Sequence, residues 1–401
     1  MKYMFIIQGE GRGHLTQAIS MYEMLTLNGD EVTEVLVGMN KRASLPDFFR
    51  TKIHCPVTVF SSACFLFSTK NKKSLLLKSI LFNLWKLPDY IESICFIKRR
   101  INENNPDKVI NFYEVLTGLT YAFTPPKIPY ICIGHQYLFF HPDFVFPKKS
   151  RLQLAGLLFF TRMTCFRASG LLALSFREMR NAGKIHVVPP LIRTDILRQT
   201  PTQENYILGY IVNDGFSTQA LHWHHHNKDV CLHFFWNKKD FPEEWQVDQT
   251  LTFHQLNDVT FLNYMASCKA YASTGGFESI CEALYLQKPV MMIPAHIEQE
   301  CNAFDAVNAG AGIFANEFNI SELLEFLPSY QPNTDFSVWA NKSSFIFLDE
   351  LKIENYSPKT RQTKEISAKK IYNRIRETRL FPIPILRDAK RLFSRKQKGY
   401  C

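Results

Sequence analysis

One pattern constrains this chain more than any other: a strand-like run, then a glycine-rich loop, then a helix, and it occurs twice. Tyr3 to Ile7 is the first run, and Gly9-Glu10-Gly11-Arg12-Gly13-His14 follows it. Leu15, Ala18, Ile19, Tyr22 and Leu25 then recur at helical spacing, and Asn28-Gly29 stops the helix. Lys269 to Ser273 is the second strand candidate, followed by Thr274-Gly275-Gly276-Phe277-Glu278-Ser279 and a helix ending near Leu286. A strand that is apolar along its whole length needs burial on both faces, which a parallel sheet covered by helices provides.

More strand candidates alternate with helical segments. Val32 to Val37, Val57 to Phe60, Lys108 to Phe112 and Tyr130 to Ile133 fall in the first half. Tyr206 to Val212, Val230 to Phe235, Leu251 to Phe253 and Val290 to Ile293 fall in the second. The alternation predicts two doubly wound α/β domains in tandem, with a boundary near residues 185–200. Right-handed crossovers place the loop after the first strand at the carboxyl edge of its sheet, where ligands bind. Residues 331–344 show no clear period and read as loop.

Charge narrows the partners. The chain carries a net charge of +10, and residues 361–401 hold 13 Lys/Arg against 3 Asp/Glu, so residues 1–360 are neutral. A neutral body excludes a broad nucleic-acid footprint. Ten cysteines without a CxxC pair read as reduced thiols of an intracellular protein. Met1 to Gln8 reads as a buried strand rather than a signal peptide. No apolar stretch reaches the roughly 18 residues of a membrane span, so the expected location is cytoplasmic. Basic residues mix with apolar ones in residues 70–100 and 148–167, and again around Leu386, Ala389, Leu392 and Phe393. Such segments suit an anionic membrane surface and a peripheral position on its inner face; an ordinary charged helix face with a solvated tail is the alternative. His222-Trp223-His224-His225-His226 reads as a solvated surface segment, because side chains on consecutive residues diverge rather than converge on a metal.

The first loop offers backbone amides and a helix N-terminus to an anion or a sugar. Its G-x-G-x-G spacing, and the lack of an acid after Val37-Gly38-Met39, argue against a dinucleotide site. Glycines serving only a tight strand–helix turn are the other reading. His14, in the first helical turn, is the candidate acid–base group. In the second unit Ser279 and Glu282 lie three apart and share a helix face. An amide nest beside Thr274 and Ser279 suits a diphosphate, and Glu282 suits the hydroxyls of a ribose. Glu298 and Gln299, after the next strand, suit sugar hydroxyls.

Three segments together resemble the two-domain GT-B glycosyltransferases that use nucleotide sugars, most closely the bacterial glycosyltransferase family 1-like proteins. They are Gly9 to His14, Pro106-Asp107-Lys108-Val109-Ile110-Asn111-Phe112-Tyr113-Glu114, and Gly275-Gly276 through Glu282-Ala283-Leu284 to Glu298-Gln299 and Asn302-Ala303. Val187 to Asp195 is similar to the interdomain segment of the N-acetylglucosaminyltransferase of peptidoglycan synthesis, whose arginine lies near the donor diphosphate. The resemblance departs at Asn111-Phe112-Tyr113-Glu114, which lacks an aspartate of the family pattern.

The resemblance implies a GT-B fold of two Rossmann-like domains facing across a cleft. Residues 1–190 would bind the acceptor, residues 191–365 the donor, and residues 366–401 would form a basic tail. It implies transfer of a hexose or N-acetylhexosamine from a nucleoside diphosphate sugar, UDP first, to the hydroxyl of a glycan or lipid-linked acceptor of the cell envelope. Neither a metal nor a cofactor is implied. Arg193 and the Gly275–Ser279 nest would neutralise the leaving diphosphate. His254, in Phe253-His254-Gln255-Leu256, would lie by the nucleobase, and Gly11, Arg12 and Gly13 would border the acceptor and diphosphate. His14 is the first candidate for general base, Glu114 the second and His135 the third. The alternatives are a nucleotide-sugar epimerase of the same fold, a non-catalytic nucleotide-sugar-binding protein, and a nucleic-acid binder driven by the tail.

Overall fold

The computed structural model describes residues 1–40, 44–63, 83, 86–148, 150–211, 214–238 and 240–353. Most of residues 70–85, and the basic segment after residue 360, lie outside them.

The first lobe alternates strand and helix as β1 (Lys2–Gln8), α1 (Gly13–Leu27), β2 (Glu31–Met39), α2 (Asp47–Lys52), β3 (Val57–Ser61), α3 (Leu87–Asn104), β4 (Lys108–Phe112), α4 (Val115–Phe123) and β5 (Tyr130–Gly134). A 3-10 helix (His135–Phe140) then leads to α5 (Arg151–Thr164), β6 (Gly170–Leu174) and β7 (Ile185–Val188). The seven strands pair in the order β3-β2-β1-β4-β5-β6-β7, and every pairing is parallel. β1 lies between β2 and β4, with Phe5 level with Val35 on one side and Ile110 on the other. Phe5, Ile6 and Ile7 are fully buried, which is why the run tolerates no polar residue until Gln8.

A short helix, α6 (Thr194–Leu197), opens the second lobe. It continues through β8 (Ile207–Tyr210), α7 (Asp214–His225), β9 (Leu232–Trp236), β10 (Glu244–Gln246), β11 (Leu251–Gln255), α8 (Asp258–Ser267), β12 (Ala270–Ser273) and α9 (Phe277–Tyr285). Then come β13 (Val290–Met292), α10 (Ile297–Asn308), β14 (Gly312–Phe314) and α11 (Ile320–Phe326). The strand order is β10-β11-β9-β8-β12-β13-β14, parallel except for the β10–β11 edge pair.

In each sheet the strand order reverses beside the strand that precedes a glycine loop: between β1 and β4, and between β8 and β12. These switch points open the crevices in which doubly wound sheets bind ligands. One apolar cluster joins the lobes, running from Leu15 and Ala18 on α1 to Ile280, Cys281 and Leu284 on α9.

Two helices complete the described chain, α12 (Thr334–Asn341) and α13 (Ser343–Lys352), where the sequence pattern predicts loop up to Ser344. Asn333 caps α12 by accepting from Phe336 N at 3.0 Å. Both helices return to the first lobe. Trp339 Nε1 donates to Ser175 O at 3.0 Å, and Lys108 Nζ donates to Leu351 O at 2.6 Å and to Ile353 O at 3.1 Å. The stretch expected to finish the second domain therefore packs against the first lobe.

Candidate active site

A cavity of about 260 Å³ lies between the lobes, and both glycine loops form its walls. Gly11, Arg12, Gly13 and His14 line it from the first lobe. Arg193, Thr274, Gly276, Ser279, Glu282, Glu298 and Gln299 line it from the second. The structure thus gathers eleven of the residues singled out in the sequence around one space. Gly275 stands just behind, with φ +86° and its carbonyl accepting from Asn302 Nδ2 at 3.4 Å. That left-handed backbone turns the chain from β12 into α9 and is open to glycine at little cost.

The α9 N-terminus points into the cavity with no side chain capping it. Its first-turn amides and the partial positive charge of the helix end favour an anion there. Arg193 supplies a full positive charge beside it. Its Nε and Nη2 donate to the two carboxylate oxygens of Glu282 at 2.6 and 2.8 Å, and Nη1 approaches Asp258 Oδ1 at 3.3 Å. Burial works against this guanidinium, but Glu282 and Asp258 outweigh it and hold its pKa above the ordinary value. Arg193 and Glu282 thus engage each other rather than standing apart for diphosphate and ribose.

Three contacts cross between the lobes at the cavity. Arg12 Nη2 donates to Asp258 Oδ2 at 2.5 Å, with its guanidinium 4.0 Å above the Phe48 ring. Gln136 Nε2 donates to Glu298 Oε1 at 2.9 Å. Gln17 Nε2 donates to Glu278 Oε1. A Cβ on Gly13 would meet the Glu278 carboxylate, the movable end of a side chain from the opposite lobe, so the two lobes approach closely here. His14 lies against Tyr113, ring centres 5.3 Å apart, and its Nδ1 is 3.4 Å from Gln17 Oε1. Tyr113 sits just past β4 with φ 61°, a left-handed conformation that a bulky residue adopts only when its surroundings impose it.

The other two candidate bases are walled off. Glu114 is fully buried as the N-cap of α4, accepting from Leu116 N at 2.9 Å and from Ser62 Oγ at 2.6 Å. Burial raises its pKa to about 7, against the pull of those two bonds. His135 is buried in the 3-10 helix, stacked on Phe277 with ring centres 4.2 Å apart and paired through Nδ1 with Leu174 O at 2.8 Å. Burial lowers its pKa. Neither borders the cavity: Glu114 is spent on capping its own helix, and His135 packs against Phe277 of the opposite lobe.

His254 also belongs elsewhere. β11 runs on through it, so it faces β9 and pairs with His233 Nδ1 at 2.9 Å, while Leu256 reaches the cavity. In the histidine run, His224 is 3% exposed and its Nε2 lies 3.0 Å from Asp248 Oδ2, so that segment is not wholly solvated. Among the described residues no group of three or more His, Cys, Asp or Glu is arranged to hold a metal ion. Pattern reading missed Gln17, Asp258 and Glu278. Glu278 stands inside the second motif, and the Asn257-Asp258 pair is a helix-start signal at the cavity edge.

Two facing Rossmann-like lobes with a shared cleft make the GT-B fold of glycosyltransferases. The profile of glycosyl transferase family 1 matches residues 1–330, and the chain belongs to that family of transferases. No curated protein matches it in sequence. Among solved structures it is similar to CalG4, the calicheamicin glycosyltransferase (11% identity, 87% of this chain and 97% of that one, TM-score 0.59). It is also similar to UGT89C1 of Arabidopsis thaliana with quercetin (16%, 87% and 98%, TM-score 0.57). A putative UDP-N-acetylglucosamine 2-epimerase from Listeria monocytogenes shares the fold (12%, 88% and 95%, TM-score 0.54).

Proposed function

We propose that the chain moves a hexose or N-acetylhexosamine from a UDP-sugar to a hydroxyl on a glycan or lipid-linked acceptor. The observation that carries this reading is the opposition of His14 to the α9 N-terminus and Arg193 across one cavity. His14 takes the proton from the acceptor hydroxyl, whose oxygen attacks the anomeric carbon. The bond from that carbon to the β-phosphate oxygen breaks, and the α9 amides and Arg193 receive the charge that develops on the diphosphate. To do so Arg193 exchanges Glu282 for phosphate, which frees the Glu282 carboxylate to accept from the ribose hydroxyls. Charge neutralisation by these groups needs neither metal nor cofactor.

The choice of UDP is supported by solved relatives, among them UGT89C1 with UDP-L-rhamnose. A lipid-linked acceptor is supported by α5, which contains no acidic residue and exposes Leu152 (80%) and Phe159 (66%) beside Arg162. Among the described residues no helix is long and apolar enough to cross a membrane, so the contact would be with a surface. The test is a panel of nucleotide sugars and acceptors with mass detection of products. The expected result is a glycosylated acceptor from wild type and none from His14→Ala, with nucleotide binding kept. Release of a 2-epimer without an acceptor, or full turnover by His14→Ala, would overturn it.

A further inference from the structure

Glu278 needs an explanation, because a carboxylate in the first turn of α9 repels the diphosphate that the same turn is proposed to bind. The geometry points to a positioning role: Glu278, reaching over from the second lobe, orients Gln17, and Gln17 in turn sets the tautomer of His14. This inference rests on His14 acting as the base.

The chain of contacts has a direction. Glu278 Oε1 accepts from Gln17 Nε2. A carboxylate can only accept, so the Gln17 amide must turn its nitrogen to Glu278 and its oxygen to His14. That oxygen lies 3.4 Å from His14 Nδ1 and also can only accept. The imidazole must therefore carry its proton on Nδ1, which leaves the Nε2 lone pair free to receive a proton from an acceptor. His14 favours the charged form of Glu278, opposing the burial that raises the carboxyl pKa.

The Glu278 carboxylate occupies the space a Cβ would need on Gly13. Glu114, the acid nearest in sequence to the family's missing aspartate, is committed to capping α4. The two ends of the chain of contacts, His14 and Glu278, belong to different lobes, so the base is set only when the lobes are together.

The test compares wild type, Glu278→Gln and the exchange variant Gln17→Glu/Glu278→Gln. In the exchange variant the amide now at position 278 donates to the carboxylate now at position 17. That carboxylate can only accept from His14, so the direction is restored. Histidine nitrogen NMR with selective labelling, with His14→Gln to assign the signal, reads the tautomer without any need for turnover. The Nδ1–H form is expected in wild type, a mixture in Glu278→Gln, and Nδ1–H again in the exchange variant. In transfer assays Glu278→Gln should lose about tenfold or more in kcat, with donor KM unchanged or lower because a like charge has gone. The exchange variant should recover most of that loss. An unaltered tautomer in Glu278→Gln, or an exchange variant no better than the single one, would overturn the inference. If the tautomers behave as described but wild type transfers no sugar, the proposed function fails and the positioning chain stands.

Discussion

Consider removing each partner of the Arg193–Glu282 pair, and then both. Two charge-assisted bonds of 2.6 and 2.8 Å join the side chains, which are 12% and 3% exposed. Breaking a buried pair by removing one partner costs about 3–5 kcal/mol, mainly because the other charge is stranded. Glu282→Ala leaves the guanidinium with Asp258 at 3.3 Å, so its cost belongs at the lower end, about 3 kcal/mol. Arg193→Ala leaves the Glu282 carboxylate without its cation and should cost about 4 kcal/mol. The double variant strands neither group. It should cost about 4 kcal/mol in all, a coupling of about 3 kcal/mol between the two sites. Urea unfolding of the three variants and wild type at pH 7.5 gives these values from the midpoints. Calorimetric titration with pyrophosphate adds a functional arm. Glu282→Ala should bind it several-fold more tightly, since the rival for the guanidinium is gone, and Arg193→Ala should bind it more weakly. Costs that add to within about 0.5 kcal/mol, or no gain in pyrophosphate affinity, would refute the reasoning.

Three further outcomes are expected. Glu114 has a folded pKa of about 7 against an ordinary value of 4.5, so the folded state holds the extra proton between those values. Stability should therefore fall as pH rises from about 5 to 7, by up to about 3 kcal/mol, and Glu114→Gln should flatten that slope in urea titrations across the range. Lys108→Met removes two bonds that hold the end of α13 and should cost about 2 kcal/mol, with faster amide exchange in residues 343–353 measured by mass spectrometry. Leu152→Glu with Phe159→Glu should release the protein from anionic vesicles in co-sedimentation while leaving its unfolding midpoint unchanged, because both side chains are exposed.

Legibility followed the length of each signal. β4 was readable to the residue, because Val109, Ile110 and Phe112 form a short β-prone stretch bounded by Pro106-Asp107 and Glu114. β10 and β14 have three residues each and owe their strand form to a neighbouring strand rather than to their own composition. α12 buries only Phe336, Trp339 and Ala340, too few positions for a period to show. Both glycine loops were readable, because each follows a buried run and opens a helix. Side-chain pairing across the lobes was not: Arg12 and Asp258 are 246 positions apart, and Gln17 and Glu278 are 261 apart. No local pattern reports that Arg193 meets Glu282, or that β11 extends far enough to turn His254 toward His233. The candidate bases separated for the same reason, since Glu114 and His135 are as polar as His14 and differ only in what surrounds them.

The central claim is that the second lobe grips the diphosphate of an activated sugar at the α9 N-terminus with Arg193. Calorimetric titration of UDP against UMP, into wild type and Arg193→Met, tests it most directly. Wild type should bind UDP at least about tenfold more tightly than UMP, a difference of about 1.4 kcal/mol, and Arg193→Met should erase most of that preference. Equal affinity for the two nucleotides in wild type, or a preference that survives in Arg193→Met, would contradict the account.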